Sequence, residues 1–169
     1  MLNLLRKSAE RKQAARALYD QLVMRAREPV FFLHFGVSDT VDGRFDLLAL
    51  HAWMVLARLK SAGQDGMAQE LTNIVFVGFD EALREQGAGD IGIGHRIKKL
   101  GNAFYGRLAA YEAAADEEAL AATLARNLWR GAAAERQARK LASYVNRARQ
   151  SLESSGLEHG LDFGPPPSI

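Results

Sequence analysis

Apolar residues recur every three or four positions along most of the chain, which is the spacing of one face of an α-helix. The first such stripe includes Leu18, Leu22 and Ala26. This helix has to end before Pro29, because the residue that precedes a proline disfavours the helical conformation. Similar stripes follow, and the pattern predicts six helices at 2–27, about 40–60, 67–85, 95–114, 116 to a break near 131, and about 133–154.

The second predicted helix differs from the others because residues 45–59 are apolar on nearly every side. A helix of this kind has no face to offer to water, so we expect it to be the central, most buried helix of the fold. The one histidine in this helix is His51. We interpret His51 as a hydrogen-bonded core residue, and not as a metal ligand or a base, because buried polar groups are normally satisfied within the protein.

Two segments lack helical periodicity. Residues 87–94 contain four glycines in eight positions, which predicts a loop with unusual backbone angles. Residues 156–169 include three consecutive prolines and no apolar stripe, so we expect a flexible C-terminal tail that does not pack. The predicted fold is therefore all-α, a single-domain helical bundle of about six helices over residues 1–155 with a tail at 156–169.

Composition removes several classes of site. The chain has no cysteine, which excludes disulfides, thiol nucleophiles and thiolate metal ligands. Its four histidines are far apart and form neither an HxxxH nor an HExxH motif, so we expect no metal and no cofactor. Each stretch of eighteen residues carries a charge, which speaks against a membrane-spanning helix and favours a soluble protein.

The net charge of +2 conceals an uneven distribution. Residues 29–91 carry nine acidic and four basic side chains, whereas residues 92–155 carry six acidic and eleven basic ones. A charged stripe on a helical protein is usually a solvated face, but the basic ends would also suit an anionic surface.

Charges crowd the start of the buried helix. If Gly43 is aligned with the glycine of a twelve-residue calcium loop, a serine and an alanine fall at the first and last ligand positions, so that kind of site is rejected. Asp39 and Asp42 can instead accept the free backbone N–H groups of the helix start. Arg44 and Asp46 lie on the first turn of a buried helix, and we expect each to pair with an opposite charge, across the fold.

Enzyme chemistry finds little support in the sequence. Residues 87–92 match the GxGxxG dinucleotide pattern, but a helix precedes them where the nucleotide-binding unit has a strand. An acid and base set would need Asp42, His51, Asp90 and Arg107 to converge in one pocket.

A nucleic-acid interface is a second alternative. Its basis is the basic and aromatic segment at 96–107 and the run at 130–149, which has six Lys or Arg and one Glu. Such aromatic residues more often belong to the core, with the basic side chains simply exposed. A structural subunit without a transient client is the third alternative.

Four motifs follow one another along the chain: residues 35–46, the buried helix with His51, Gly89-Asp90 leading into Arg96-Ile-Lys98-Lys99, and Ala103-Phe-Tyr-Gly-Arg107 with Tyr111. In this order they resemble the ubiquinol-cytochrome c chaperone family, over roughly residues 15–130. The compact chain looks like a bacterial-type member. It departs from the family pattern at residues 92–95, where we expect a proline-containing stretch.

The resemblance implies an assembly chaperone and not an enzyme. Members of this family help cytochrome b assemble into the bc1 complex, and in mitochondria they contact a small partner protein and the ribosome. For this chain the resemblance implies cytochrome b or another bc1 subunit as the client and no specific nucleic acid. It further implies a cytoplasmic protein, peripheral at the inner membrane of a bacterium, or a matrix protein in a eukaryote, with transient contact to the membrane surface or ribosome.

We expect the client to dock in a groove of the helical bundle. The residues expected around this groove are Asp39, Asp42, Arg44, Asp46, Asp90, Arg96, Lys98, Lys99, Phe104, Tyr105 and Arg107.

Overall fold

The computed structural model describes residues 2–85, 87, 89–131, 134–157 and 160–168, with the side chains of 2–5, 90 and 91 left aside. The described residues form helices and no strand, which confirms the predicted all-α class. The helices are α1 (Leu2–Ala26), α2 (Pro29–Leu33), α3 (Val41–Ser61), α4 (Asp65–Glu85), α5 (Asp90–Glu112), α6 (Glu117–Trp129) and α7 (Glu135–Ser154). Within the described chain, none of these helices combines the length and apolar character that crossing a bilayer requires.

Helix α3 is the centre of the fold. It packs against α1, α4, α5, α6 and α7, and every residue from Ala49 to Leu56 is buried. This is the position that the apolar run on all faces predicted. Burial of such a run removes a large apolar area from water and is the main favourable contribution to folding.

Helices α1 and α4 lie side by side, and a glycine of α4 allows their close approach. A Cβ atom at Gly78 would lie 2.3 Å from the hydroxyl oxygen of Tyr19. Contacts shorter than about 3 Å are not tolerated in a packed interior. The Tyr19 hydroxyl therefore occupies space that only a glycine at position 78 leaves open.

Short helix α2 was not predicted. Pro29 stands at its first position, where the missing N–H costs nothing and the fixed backbone angle suits a helix. The helix has five residues, too few to show a periodic stripe, and it buries Phe31 completely. The prediction from Pro29 was limited to the end of α1, which the structure confirms at Ala26.

The glycine-rich segment is shorter than predicted. We expected a loop through residue 94, but α5 already begins at Asp90, so the predicted start at residue 95 is wrong. Gly87 and Gly92 do have the positive backbone angles expected of glycine, with φ of 80° and 94°. Gly92 lies inside the first turns of α5, which shows that a glycine can distort a helix without ending it.

His51 is a core residue, as predicted. It is 0% exposed, and its Nδ1 atom donates a hydrogen bond to the Leu47 carbonyl at 2.8 Å because a carbonyl can only accept. Its Nε2 atom then accepts from the Tyr144 hydroxyl at 3.0 Å. Both ring nitrogens are therefore satisfied by the neutral form. Burial away from water lowers the pKa of His51 to about 4.

The expectation that the C-terminal tail does not pack is wrong for residues 160–168. Phe163 is 3% exposed, and its ring centroid lies 5.5 Å from that of His51. Arg25 donates to the Gly164 carbonyl, and the Leu161 backbone N–H donates to Oε1 of Gln21 at 2.6 Å. One aromatic side chain and two polar contacts hold this segment, none of which a search for periodicity can detect. Its flexibility in solution stays a prediction.

The buried histidine makes stability depend on pH. In the unfolded chain His51 has an ordinary pKa near 6.5, so between about pH 6.5 and pH 4 the unfolded state binds a proton that the folded state does not. We expect His51 to cause a loss of about 3 kcal/mol of unfolding free energy as pH falls through this window. Urea unfolding at several pH values should show that loss reduced in His51→Gln.

The exposed His34 provides the matched control. His34→Gln makes the same change of side chain outside the core and should keep the pH dependence of the unaltered protein. An equal acid dependence in His51→Gln and the unaltered protein would contradict this role of His51.

Candidate functional site

The loop before α3 lies directly on the first turn of that helix. A Cβ atom at Gly43 would lie 1.9 Å from the Ser38 carbonyl oxygen, so only glycine fits there. Thr40 is the N-cap of α3, and its hydroxyl oxygen accepts from the Gly43 backbone N–H at 3.2 Å. The loop is also fixed to α6, since the Trp129 indole N–H donates to the Phe35 carbonyl at 2.9 Å. Gly43, which stood out in the sequence, is therefore needed because the loop backbone lies against it.

Asp39 and Asp42 do not share the capping role that the sequence predicted. Thr40 caps the helix, while Asp42 lies in the first turn, where its charge suits the helix dipole. Asp39 instead accepts a hydrogen bond from Nε of Arg44 at 2.7 Å, and this bond lowers the pKa of the Asp39 carboxyl. The pair is about half exposed, and Arg44, in the first turn of α3, has its partner in the loop directly before that helix and not across the fold.

Asp46 does pair across the fold. Its side chain is 0% exposed, and Nε of Arg107 on α5 donates to its Oδ1 atom at 2.6 Å. Nη2 of Arg130, which follows α6, donates to Oδ2 at 3.2 Å. Burial raises the pKa of the Asp46 carboxyl, and the two guanidinium charges oppose that rise. We call Asp46, Arg107 and Arg130 the buried ion cluster.

Both arginines of the buried ion cluster are held in place. The Arg107 guanidinium also donates to the Ala103 carbonyl at 3.2 Å and lies 4.9 Å from the centre of the Phe45 ring. Arg130 has a left-handed backbone with φ of 53°, which is uncommon for a residue other than glycine. It reaches Asp42 at 3.5 Å as well as Asp46, so the cluster extends to the surface at the start of α3.

A groove of about 440 Å³ opens beside this part of the surface, between α1, α3 and α4. We call it the α1–α4 groove. Its floor is largely apolar, and among its walls Val41 is 58% exposed. Charges of both signs lie among the lining residues, which are Tyr19, Val23, Ala26, Arg27, Val41, Asp42, Arg44, Phe45, Leu48, Gly78, Phe79, Ala82, Leu83, Glu85 and Leu100.

The structure brings only some of the predicted site residues to this groove. Asp42 and Arg44 line it, and Asp39 is attached to it through Arg44. Asp46 and Arg107 lie in the buried ion cluster and are joined to Asp42 by Arg130. Their function in binding a partner stays a prediction.

The remaining predicted residues lie elsewhere. Phe104 is completely buried and packs with Phe76 and Phe79, so it belongs to the core. Tyr105 lines a second groove, of about 740 Å³, together with Trp53 and other residues of α3, α4, α5 and α7. Arg96, Lys98 and Lys99 are exposed on the first half of α5, and Asp90 is outside the described side chains. A single groove framed by all of these residues is therefore not what the structure shows.

Sequence reasoning missed several residues of the site. Arg130 was assigned to a basic run, although its partner is a buried carboxylate. On the groove walls it missed Tyr19 and Phe79. The one signal in the sequence that could have indicated these residues is Gly78. It lies in the middle of a helical pattern, and a glycine inside a helix often marks a close contact.

Among the described residues, those that an enzymatic site would require do not meet in one pocket. His51 is completely buried and bonded on both nitrogens, while the Asp42 side chain is 79% exposed. The Arg107 guanidinium is already paired with the Asp46 carboxylate. Among the described residues, no group of three or more His, Asp or Glu side chains could hold a metal ion.

Comparison with known proteins decides the family. The model of the ubiquinol-cytochrome C chaperone family matches residues 33–161, which include α3 to α7 and much of the groove. The chain belongs to this family. The sequence motifs at 35–46 and 89–111, which indicated the same family, lie inside the matched range.

Two known proteins are similar over most of this chain. Ubiquinol-cytochrome c reductase complex assembly factor 1 of Mus musculus is 28% identical over 158 residues, which is 90% of this chain and 54% of the mouse protein. The Homo sapiens protein of that name is also 28% identical, over 90% of this chain and 53% of its own length. The chain thus spans about half the length of these two relatives.

A solved structure is similar in fold and sequence. It is the crystal structure of the Cbp3 homolog from Brucella abortus, with a TM-score of 0.81 and 36% identity. The alignment covers 93% of this chain and 90% of that one. The helical arrangement described above is therefore shared along nearly the whole length of both chains.

The buried ion cluster should be essential for stability. We expect Asp46→Asn to lower the free energy of unfolding by about 3 kcal/mol, because the Arg107 guanidinium, whose side chain is only 19% exposed, is then left without its carboxylate partner. Urea unfolding measures this change. Asp39→Asn is the matched control, since it makes the same chemical change in an exposed pair and should alter stability little. Equal effects of the two variants would contradict the assigned importance of Asp46.

Proposed function

We propose that this protein is an assembly chaperone of the ubiquinol-cytochrome c reductase (bc1) complex and that newly made cytochrome b is its client. The observation that carries this proposal is the family match over residues 33–161. Relatives in mouse and human are named as assembly factors of this complex. The Brucella abortus structure shares the fold over 93% of this chain.

We infer that the α1–α4 groove is the place where the client docks. A segment of a membrane protein presents apolar side chains before it inserts, and the floor formed by Phe45, Leu48 and Phe79 offers an apolar surface for them. Val41 is exposed at the groove in the absence of a partner. An apolar groove surface that stays accessible without a partner suits a transient docking site.

The charged side chains around the groove would determine which segment fits. Arg27 and Arg44 can pair with acidic groups of a client, and Asp42 and Glu85 with basic ones. Pairs at an exposed rim contribute mainly to specificity and to the rate of encounter, and less to affinity. Release of the client is then easy, which suits a chaperone.

We propose that the protein acts without catalysing a reaction. In the described structure the groove brings together hydrophobic and charged side chains, with Tyr19 as its one hydroxyl-bearing member. The buried His51 has no access to it, because both its nitrogens are bonded within the core. We further propose that the protein works where cytochrome b is made, in the bacterial cytoplasm next to the inner membrane or in the mitochondrial matrix.

Deletion of the protein followed by complementation tests both proposals. Cells without it should lose cytochrome b and assembled bc1 complex, as measured by haem absorbance spectra and native gels. Complementation with Val41→Glu should restore bc1 only in small part, because a carboxylate at the groove mouth would have to be desolvated against the apolar client.

Val77→Glu is the matched control for the groove. Val77 is 51% exposed on α4 but does not line the groove, so this variant should restore bc1 fully. Normal bc1 in the deleted cells would overturn the proposed function. Equal complementation by the two folded variants would overturn the assignment of the groove alone.

A further inference from the structure

Helix α7 carries a row of basic side chains on one face. Arg136, Lys140 and Arg147 are separated by four and seven residues, so they lie within about 40° of one another around the helix and extend over about 16 Å. Arg139 points elsewhere and pairs with Glu118 of α6 at 3.1 Å. Among the described residues, the three members of the row have no acidic partner. Their charge is therefore available to a ligand.

The row begins at a cleft of about 430 Å³ between α7 and the segment after α2. His34, Arg136 and Lys140 line this cleft with polar and charged groups, and the nearly buried Phe35 closes its inner side. Gln137 is the remaining lining residue. A cleft of this size that is lined by an arginine and a lysine can hold an anionic head group, since both side chains bind phosphate oxygens.

An exposed aliphatic side chain stands next to the cleft. Leu33, the last residue of α2, directly precedes His34 and is 76% exposed. A large aliphatic side chain exposed beside cations is typical of proteins that lie on a membrane surface, where the apolar group enters the acyl boundary and the cations meet lipid phosphates.

We propose that Leu33, His34, Arg136, Lys140 and Arg147 form a docking surface for a membrane containing anionic phospholipid, with a lipid phosphate in the cleft. We call this surface the α7 basic face. It follows from the geometry of α2 and α7 and does not depend on the identity of the client. The α1–α4 groove involves other side chains, so both surfaces can be occupied at once.

The residues of the face favour lipid over RNA. Proteins that bind single-stranded RNA usually stack its bases on exposed aromatic rings. Here Phe35, the aromatic residue that lines the cleft, and Tyr144 of α7 are both buried. The exposed apolar group is Leu33, which has no planar surface for stacking but is well suited to insertion among acyl chains.

Vesicle flotation of the full chain tests the docking surface. The protein should float with vesicles of phosphatidylcholine that contain phosphatidylglycerol and stay behind with pure phosphatidylcholine, and binding should weaken as salt is added. Arg136→Gln with Lys140→Gln should reduce the partition coefficient about 30-fold, because each basic residue near an anionic surface contributes about a fivefold factor. Leu33→Gln should reduce it about tenfold through lost insertion.

Two controls make the result specific. Lys98→Gln with Lys99→Gln removes the same net charge from α5, and Val77→Gln removes another exposed aliphatic side chain, from α4. Both should float like the unaltered protein. Equal binding to neutral vesicles, or equal losses in the α7 and α5 double variants, would overturn the proposal. So would binding to RNA that displaces the protein from vesicles and depends on Arg136 and Lys140 while Leu33→Gln has no effect.

Discussion

A fully buried carboxylate, Asp46, lies on the first turns of α3, the helix on which five others pack. It can remain there only because two guanidinium groups, from Arg107 on α5 and Arg130 after α6, neutralise it. The need to neutralise this carboxylate fixes α3, α5 and the segment after α6 relative to one another. Arg130 even adopts an uncommon left-handed backbone in this arrangement. Buried ion pairs add little to stability compared with apolar replacements, but they define geometry, and that is the function we assign to this cluster.

The geometry that the cluster defines is that of the groove next to it. Asp42 contacts Arg130, and Phe45 lies under the Arg107 guanidinium, so two lining residues are held directly by the cluster. Gly43 and Gly78 add a different constraint, because each leaves room for an atom that would otherwise clash. A rigid apolar floor with an exposed, charged rim can bind a segment without closing over it. This is the property expected of a chaperone that has to release its client to a growing complex.

Physical reasons explain which features the sequence could predict. The apolar run in α3 has one structural solution, so its central position, the burial of His51 and the need of Asp46 for a partner could all be predicted. The identity of that partner could not, because Arg130 is 84 residues away in sequence and looks like any other surface arginine. Helix α2 and the packed part of the tail were missed for another reason. Phe31 and Phe163 are each buried by a short segment that has no period to detect.

We propose that the α1–α4 groove receives cytochrome b during its assembly. Site-specific photo-crosslinking in cells tests this most directly, with a photoreactive amino acid in place of Val41 and, as the control, in place of Val77. We expect a crosslink to newly made cytochrome b at position 41 that disappears as bc1 matures, and none at position 77. A crosslink to cytochrome b at position 77 and not at 41, or at neither position while the variants support bc1 assembly, would contradict it.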